Sequence, residues 1–126
     1  MAVVVDTCGW IEWLTNGLLV EDYAPYFLCI EEIIVPTSVQ FELYKWVCRE
    51  VSESNALEVI GLTEQGCVVP LSTSIALLAA DFARQKGLSF ADAIIYATAH
   101  HSKNILVTSD AHFKGLDGVE YFVKSG

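Results

Sequence analysis

Apolar residues in this chain fall into two rhythms. One is the short unbroken run: Ala2-Val3-Val4-Val5, Ile33-Ile34-Val35, Cys67-Val68-Val69 and Ile105-Leu106-Val107, with a last short strand, interrupted by Glu120, predicted from Val119 to Val123. β-Branched residues are stiff at χ1 and suit strands. Runs without alternation predict strands buried on both faces, as in a parallel sheet. The other rhythm is helical, with apolar residues three or four apart. Trp10, Trp13 and Leu14 predict a short helix over 8–14, stopped by Asn16-Gly17. Tyr23, Tyr26, Phe27 and Ile30 predict another over 21–31, with Pro25 in its first turn. Val39, Leu43, Trp46 and Val47 predict a helix to about Val51, opened by Thr37-Ser38-Val39-Gln40 as a capping box. A further helix is predicted over 53–62. Ser72-Thr73-Ser74 opens one through Leu77, Leu78 and Phe82 that Gly87 ends. Ser89-Phe90-Ala91-Asp92 reads as a second capping box, opening an Ala-rich helix over 91–99. Strands alternating with helices predict an α/β fold with a mostly parallel sheet and helices on both faces.

At 126 residues the chain is expected to form one domain, 1–126. No apolar stretch reaches the ~20 residues of a membrane span. The N-terminus shows no secretory leader, so a cytoplasmic location is expected. The apolar share, 53%, exceeds what one small core needs and predicts a covered surface. Tyr23, Tyr26, Phe27 and Trp46 are expected to line a groove for an apolar partner segment, while a separate face pairs two copies. Cys8, Cys29, Cys48 and Cys67 form no C-x-x-C pair and read as small buried hydrophobes in a reducing compartment. The net charge is −9, and residues 1–64 carry all of it, with eleven acids against Lys45 and Arg49. Such a chain is a poor general nucleic-acid binder. It suits a basic partner, or a site where acids gather around a cation.

Four acids sit where such a site would form. Asp6 and Asp110 each directly follow a predicted strand. Glu42 lies in the first turns of the helix after the second strand. Asp92 lies in the first turn of the helix leading into the fourth. In a parallel sheet all four fall on the carboxyl edge, where α/β proteins bind ligands. Each has an ordinary alternative: Asp6 as an N-cap, Glu42 as a solvated helix residue, Asp92 as a capping-box partner, Asp110 as a turn residue. Two like charges 4 Å apart repel by about 4 kcal/mol at an effective dielectric of 20, so the four together call for shared protons or a cation. All-oxygen donors suit Mg²⁺ or Mn²⁺.

Asp6-Thr7, Glu42, Ala91-Asp92-Ala93-Ile94-Ile95-Tyr96-Ala97-Thr98-Ala99 and Thr108-Ser109-Asp110-Ala111-His112-Phe113 together resemble a PIN domain. The length resembles that of VapC-type ribonuclease toxins. The resemblance implies a three-layer α/β/α sandwich, Mg²⁺- or Mn²⁺-dependent endoribonuclease activity on RNA and a cognate antitoxin; the homodimer expectation rests on the surplus apolar surface. It implies Asp6 and Asp92 as metal ligands, Glu42 and Asp110 completing the acidic set, and Thr7 and Thr108 as donors behind them. Many members carry a further acid where this chain has His112. A neutral imidazole there weakens a second metal position and leaves the number of ions open; a plain surface-turn role for His112 competes equally with a ligand role. His100 and His101 complement a helix end. The competing reading is a non-catalytic PIN-like module that binds RNA or protein. A phosphoacceptor receiver domain is disfavoured because Asp6 stands alone and Thr108-Ser109 replaces the Lys expected at a strand end. A phosphatase using D-x-D is excluded by Asp6-Thr7-Cys8.

Overall fold

The computed structural model describes residues 2–124. Its centre is a five-stranded sheet of β1 (Val3–Val5), β2 (Ile33–Pro36), β3 (Cys67–Val69), β4 (Ile105–Thr108) and β5 (Val119–Tyr121). Every pairing is parallel. Six helices connect and cover the strands: α1 (Thr7–Thr15), α2 (Val20–Phe27), α3 (Thr37–Glu50), α4 (Glu53–Thr63), α5 (Thr73–Lys86) and α6 (Phe90–His101). The result is a three-layer α/β/α fold, as the two rhythms predict.

Strand order is β3-β2-β1-β4-β5. The chain steps outward from β1 to β2 and β3, then returns to lay β4 and β5 on the other side of β1. The crevice between β1 and β4 is therefore the switch point of the sheet, where open α/β sheets place their ligands. Val5 stands opposite Val107 in the register. The residues that leave these strands, Asp6 and Thr108 onward, emerge side by side at that crevice.

Val4, Val5, Val35, Leu106 and Val107 are fully buried, which explains their unbroken apolar runs. α6 lies across this core with every residue from Ala93 to Ala99 buried. Its alanines permit close approach to the sheet, and the Tyr96 ring packs against Phe82 and Phe113. Gly9 has a comparable use in α1. A Cβ there would stand 2.4 Å from Tyr23 Cε1 and 2.6 Å from Val5 Cγ1, so only glycine lets α1 settle onto Tyr23.

Several local expectations are corrected. α2 ends at Phe27, and a separate 3-10 turn, Ile30–Glu32, leads into β2. Pro25 lies in the interior of α2 rather than its first turn, because the helix begins at Val20, and its missing N–H removes the helical bond to the Glu21 carbonyl. The Thr37 capping box does not form. Pro36 occupies the cap position, Thr37 is already helical, and Gln40 turns away to donate to Thr63 and Glu64. At Ser89 the box is half made: Ser89 Oγ accepts the Asp92 N–H at 3.3 Å, while the Asp92 carboxylate meets His112. β5 stops at Tyr121. The cysteines are free, but none is fully buried: Cys29 and Cys67 are exposed, Cys8 and Cys48 half-buried. β3 is an edge strand, which accounts for Cys67.

Candidate active site

The six residues singled out by the sequence form one hydrogen-bonded run along the carboxyl edge, completed by His112. Glu42 Oε1 accepts from Thr7 Oγ1 at 2.7 Å. The Thr7 N–H donates to Asp6 Oδ1 at 2.8 Å. Asp6 Oδ2 accepts from Thr108 Oγ1 at 2.8 Å. That hydroxyl oxygen in turn accepts the Asp110 N–H at 2.9 Å. Asp110 Oδ1 accepts the His112 N–H at 2.9 Å. The His112 Nδ1 lies 3.2 Å from both Asp110 Oδ1 and Asp92 Oδ2.

Local structure explains each position. Asp6 is the N-cap of α1, held by the turn from strand to helix. Asp110 caps a 3-10 turn, Ala111–Phe113, whose Phe113 is fully buried and pins the turn. Asp92 sits in the first turn of α6, near the positive end of its dipole.

Asp6 is 5% exposed, and its carboxyl is pushed up to about 6. Burial is the main cause. The bonds from Thr108 and Thr7 pull it back, while the charges of Glu42 and Asp110 push it further up. Asp92 is also raised, by burial and then by Asp110, with His112 and Ser89 offsetting part of the effect. Acids that resist ionisation in a cleft mark a functional candidate.

Below Asp6 lies a polar layer that the sequence did not reveal. Cys8 Sγ is 3.6 Å from Asp6 Oδ2. Ser109 Oγ donates to Cys8 Sγ at 3.4 Å and accepts from Tyr23 Oη at 3.0 Å. Burial and the Asp6 charge raise the Cys8 thiol, so it stays protonated and serves Asp6 as a donor rather than a nucleophile. The visible signals were the placement of Cys8 two residues after Asp6 and of Ser109 between Thr108 and Asp110. Neither separates this role from ordinary packing.

The donor set fits a hard or borderline divalent cation. Among the described residues, Asp92, Asp110 and His112 each offer one ligand atom, all within 4.8 Å of one another. Asp6 and Glu42 stand outside this trio. Asp6, raised chiefly by burial, also feels the charges of both Glu42 and Asp110, and a cation would relieve that added repulsion.

The groove expected from four aromatic residues is different in the structure. Tyr23 and Phe27 are core residues, because their side of α2 faces the sheet and α1. Phe27 meets Trp10 edge-on and stacks on Trp13. Tyr26 also packs against the core. Tyr26 lines a separate small cleft of about 130 Å³ with Pro25, Cys29 and Glu32, and Trp46 lines a larger open groove, of about 440 Å³, with Leu14, Val47, Val51, Val59 and Leu62.

A parallel α/β sheet with carboxylates at its switch point defines an α/β protein with an acidic carboxyl-edge site. A family model for the PIN domain matches residues 3–119, and the chain belongs to the PIN domain family. No curated protein matches it. Solved structures share its fold. A toxin–antitoxin complex from Klebsiella pneumoniae is 18% identical with a TM-score of 0.79, covering 94% of this chain and 96% of that one. VapC20 of Mycobacterium tuberculosis, a Sarcin-Ricin loop cleaving toxin, is 16% identical with a TM-score of 0.77, covering 94% and 98%. VapBC2 from Rickettsia felis, bound to a DNA fragment from its promoter, is 17% identical with a TM-score of 0.75, covering 96% and 98%. Among the described residues no helix is long and apolar enough to cross a membrane.

Proposed function

We propose that this chain is a Mg²⁺- or Mn²⁺-dependent endoribonuclease and the toxin of a VapBC-type pair, acting in the cytoplasm. The observation that carries the reading is the hydrogen-bonded run joining Glu42, Asp6, Asp110 and Asp92 at the sheet's switch point. Family membership and the toxin–antitoxin structures that share the fold support it. Asp92 and Asp110 would hold the ion, with Asp6 and Glu42 completing the negative field. A bound divalent ion supplies charge stabilisation at a phosphodiester and acidifies bound water. Thr108 and Thr7 fix the Asp6 carboxylate from two sides, and Thr7 also orients Glu42. Lys86 lines a cleft of about 190 Å³ with Ser89, Asp92 and His112. Lys45 and Arg49 line another of about 260 Å³ beside Thr7 and Glu42. The acids thus lie between cationic side chains that suit an RNA backbone.

The partner reading follows from two apolar surfaces. The groove at Trp46 and Val51 suits an apolar segment of a cognate antitoxin, whose basic residues would meet the acidic N-terminal half. A second groove, between α5 and α6, is lined by Leu71 and Phe90 and suits a second copy of the chain.

One observation favours the non-catalytic alternative: the His112 ring already bridges Asp92 and Asp110. Incubation with a structured RNA separates the two readings. Cleavage is expected with Mg²⁺ or Mn²⁺ and is expected to be lost in EDTA and in Asp92→Asn. Undiminished cleavage by Asp92→Asn removes Asp92 from the mechanism. RNA binding without cleavage under any divalent ion selects the binding module.

A further inference from the structure

We infer that His112 is a nitrogen ligand of the proposed metal site, and that the site therefore prefers Mn²⁺ and other first-row transition ions to Mg²⁺. This rests on the metal reading above and adds to it the identity of the ion. An octahedral ion with ligands at about 2.1 Å has neighbouring ligands about 3 Å apart. His112 Nδ1 is 3.2 Å from Asp92 Oδ2 and 3.2 Å from Asp110 Oδ1, the spacing of adjacent ligands on one ion.

The ring's position is determined by polar atoms. Its side chain is 75% exposed, so no apolar packing drives it inward. The backbone beneath it is held at two points. The His112 N–H donates to Asp110, and the next residue, Phe113, is fully buried. On a metal, Nδ1 would coordinate through its lone pair, as the neutral imidazole does. Imidazole suits first-row transition ions, whereas Mg²⁺ favours oxygen donors. An Asp-Asp-His set is thus biased away from Mg²⁺ where an all-carboxylate set is not.

The test uses the full chain and the metals alone. Mn²⁺ binding is followed by electron paramagnetic resonance, with pulsed measurements of nitrogen coupling, and Mg²⁺ is used as competitor. The wild type is expected to show Mn²⁺ coupled to a nitrogen nucleus. The ratio of Mn²⁺ to Mg²⁺ affinity is expected to fall by about tenfold in His112→Asp, which keeps a ligand but makes the set all-oxygen. His112→Ala should lose the nitrogen coupling, and metal-free melting curves establish that both variants fold. Bound Mn²⁺ without nitrogen coupling, or an unchanged ratio in His112→Asp, overturns the inference and leaves the metal site standing. A wild type that binds neither ion overturns both.

Discussion

Thr108 Oγ1 donates to Asp6 Oδ2 at 2.8 Å, between residues 102 positions apart in the chain. The same oxygen accepts the Asp110 N–H at 2.9 Å, so one hydroxyl ties the ends of two neighbouring strands together. Thr108→Val keeps the shape and removes both bonds. A buried carboxylate deprived of a donor costs about 1–3 kcal/mol. The valine variant is expected to lose that much stability in urea titrations with EDTA, while Thr108→Ser retains most of it. A valine variant as stable as wild type would show that the bond contributes nothing to folding.

Some of this site was legible in the sequence because topology places it. Val3–Val5 and, apart from half-buried Ile105, Ile105–Thr108 are strands buried on both faces, and such strands show as unbroken apolar runs. Acids that follow them must emerge at one edge once the strands are parallel. Contacts made by long-range packing were not legible. Tyr23 reads equally as groove or core, because helical spacing says which residues share a face but not what that face meets. Gly9 showed nothing of its contact with Tyr23, which depends on how closely α1 and α2 approach. Thr37-x-x-Gln40 matched a capping pattern, yet Pro36 had taken the cap position one residue earlier. His112 fitted a turn as well as a ligand until its ring was placed between two carboxylates.

Lys124 reaches back from the end of the described chain to form an ion pair with Glu12 in α1. Glu12 is nearly buried, and one of its oxygens also accepts the Leu19 N–H. Burial alone would raise its carboxyl, but the Lys124 and Leu19 bonds and the Lys124 charge together hold it below the usual range. A lowered carboxyl stabilises the fold above the unfolded pKa and loses that stability as pH falls through the folded value. Lys124→Met is expected to cost about 1 kcal/mol near neutral pH, since the lysine is half-exposed and screened. The deficit should shrink as pH drops below about 4. A deficit that stays constant across that range would mean that Lys124 acts through packing alone.

The two apolar grooves predict separable defects. Val51→Lys places a charge in the groove beside Trp46 and is expected to abolish co-purification with a cognate antitoxin while sparing RNA cleavage. Phe90→Glu alters the groove between α5 and α6 and is expected to yield monomers by light scattering, with antitoxin binding intact. Either substitution producing the other's defect would reassign the surfaces.

Asp6 links the site to stability through its charge. Its unperturbed value is 3.8, and in the fold it is pushed up to about 6, chiefly by burial. Above pH 6 the carboxyl is ionised in both folded and unfolded chains, and the folded state bears the cost of the buried charge. As pH falls through about 6 the folded state takes up a proton that the unfolded state does not bind until about 3.8. Metal-free stability should therefore rise as pH is lowered through that window, by about 2–3 kcal/mol from this group. Asp6→Asn keeps a carbonyl oxygen for the Thr7 N–H and removes the charge. In EDTA it is expected to melt above wild type at pH 8, with the two curves converging by pH 4. Asp92, also raised, is present in both proteins and cancels in the comparison. Mn²⁺ or Mg²⁺ should raise the wild-type melting temperature, because a ligand that binds only the folded state stabilises it by mass action. The variant, with less negative charge to offset, should gain less. An Asp6→Asn variant that melts lower than wild type at pH 8 without metal, by an amount independent of pH, would make Asp6 a helix cap and nothing more.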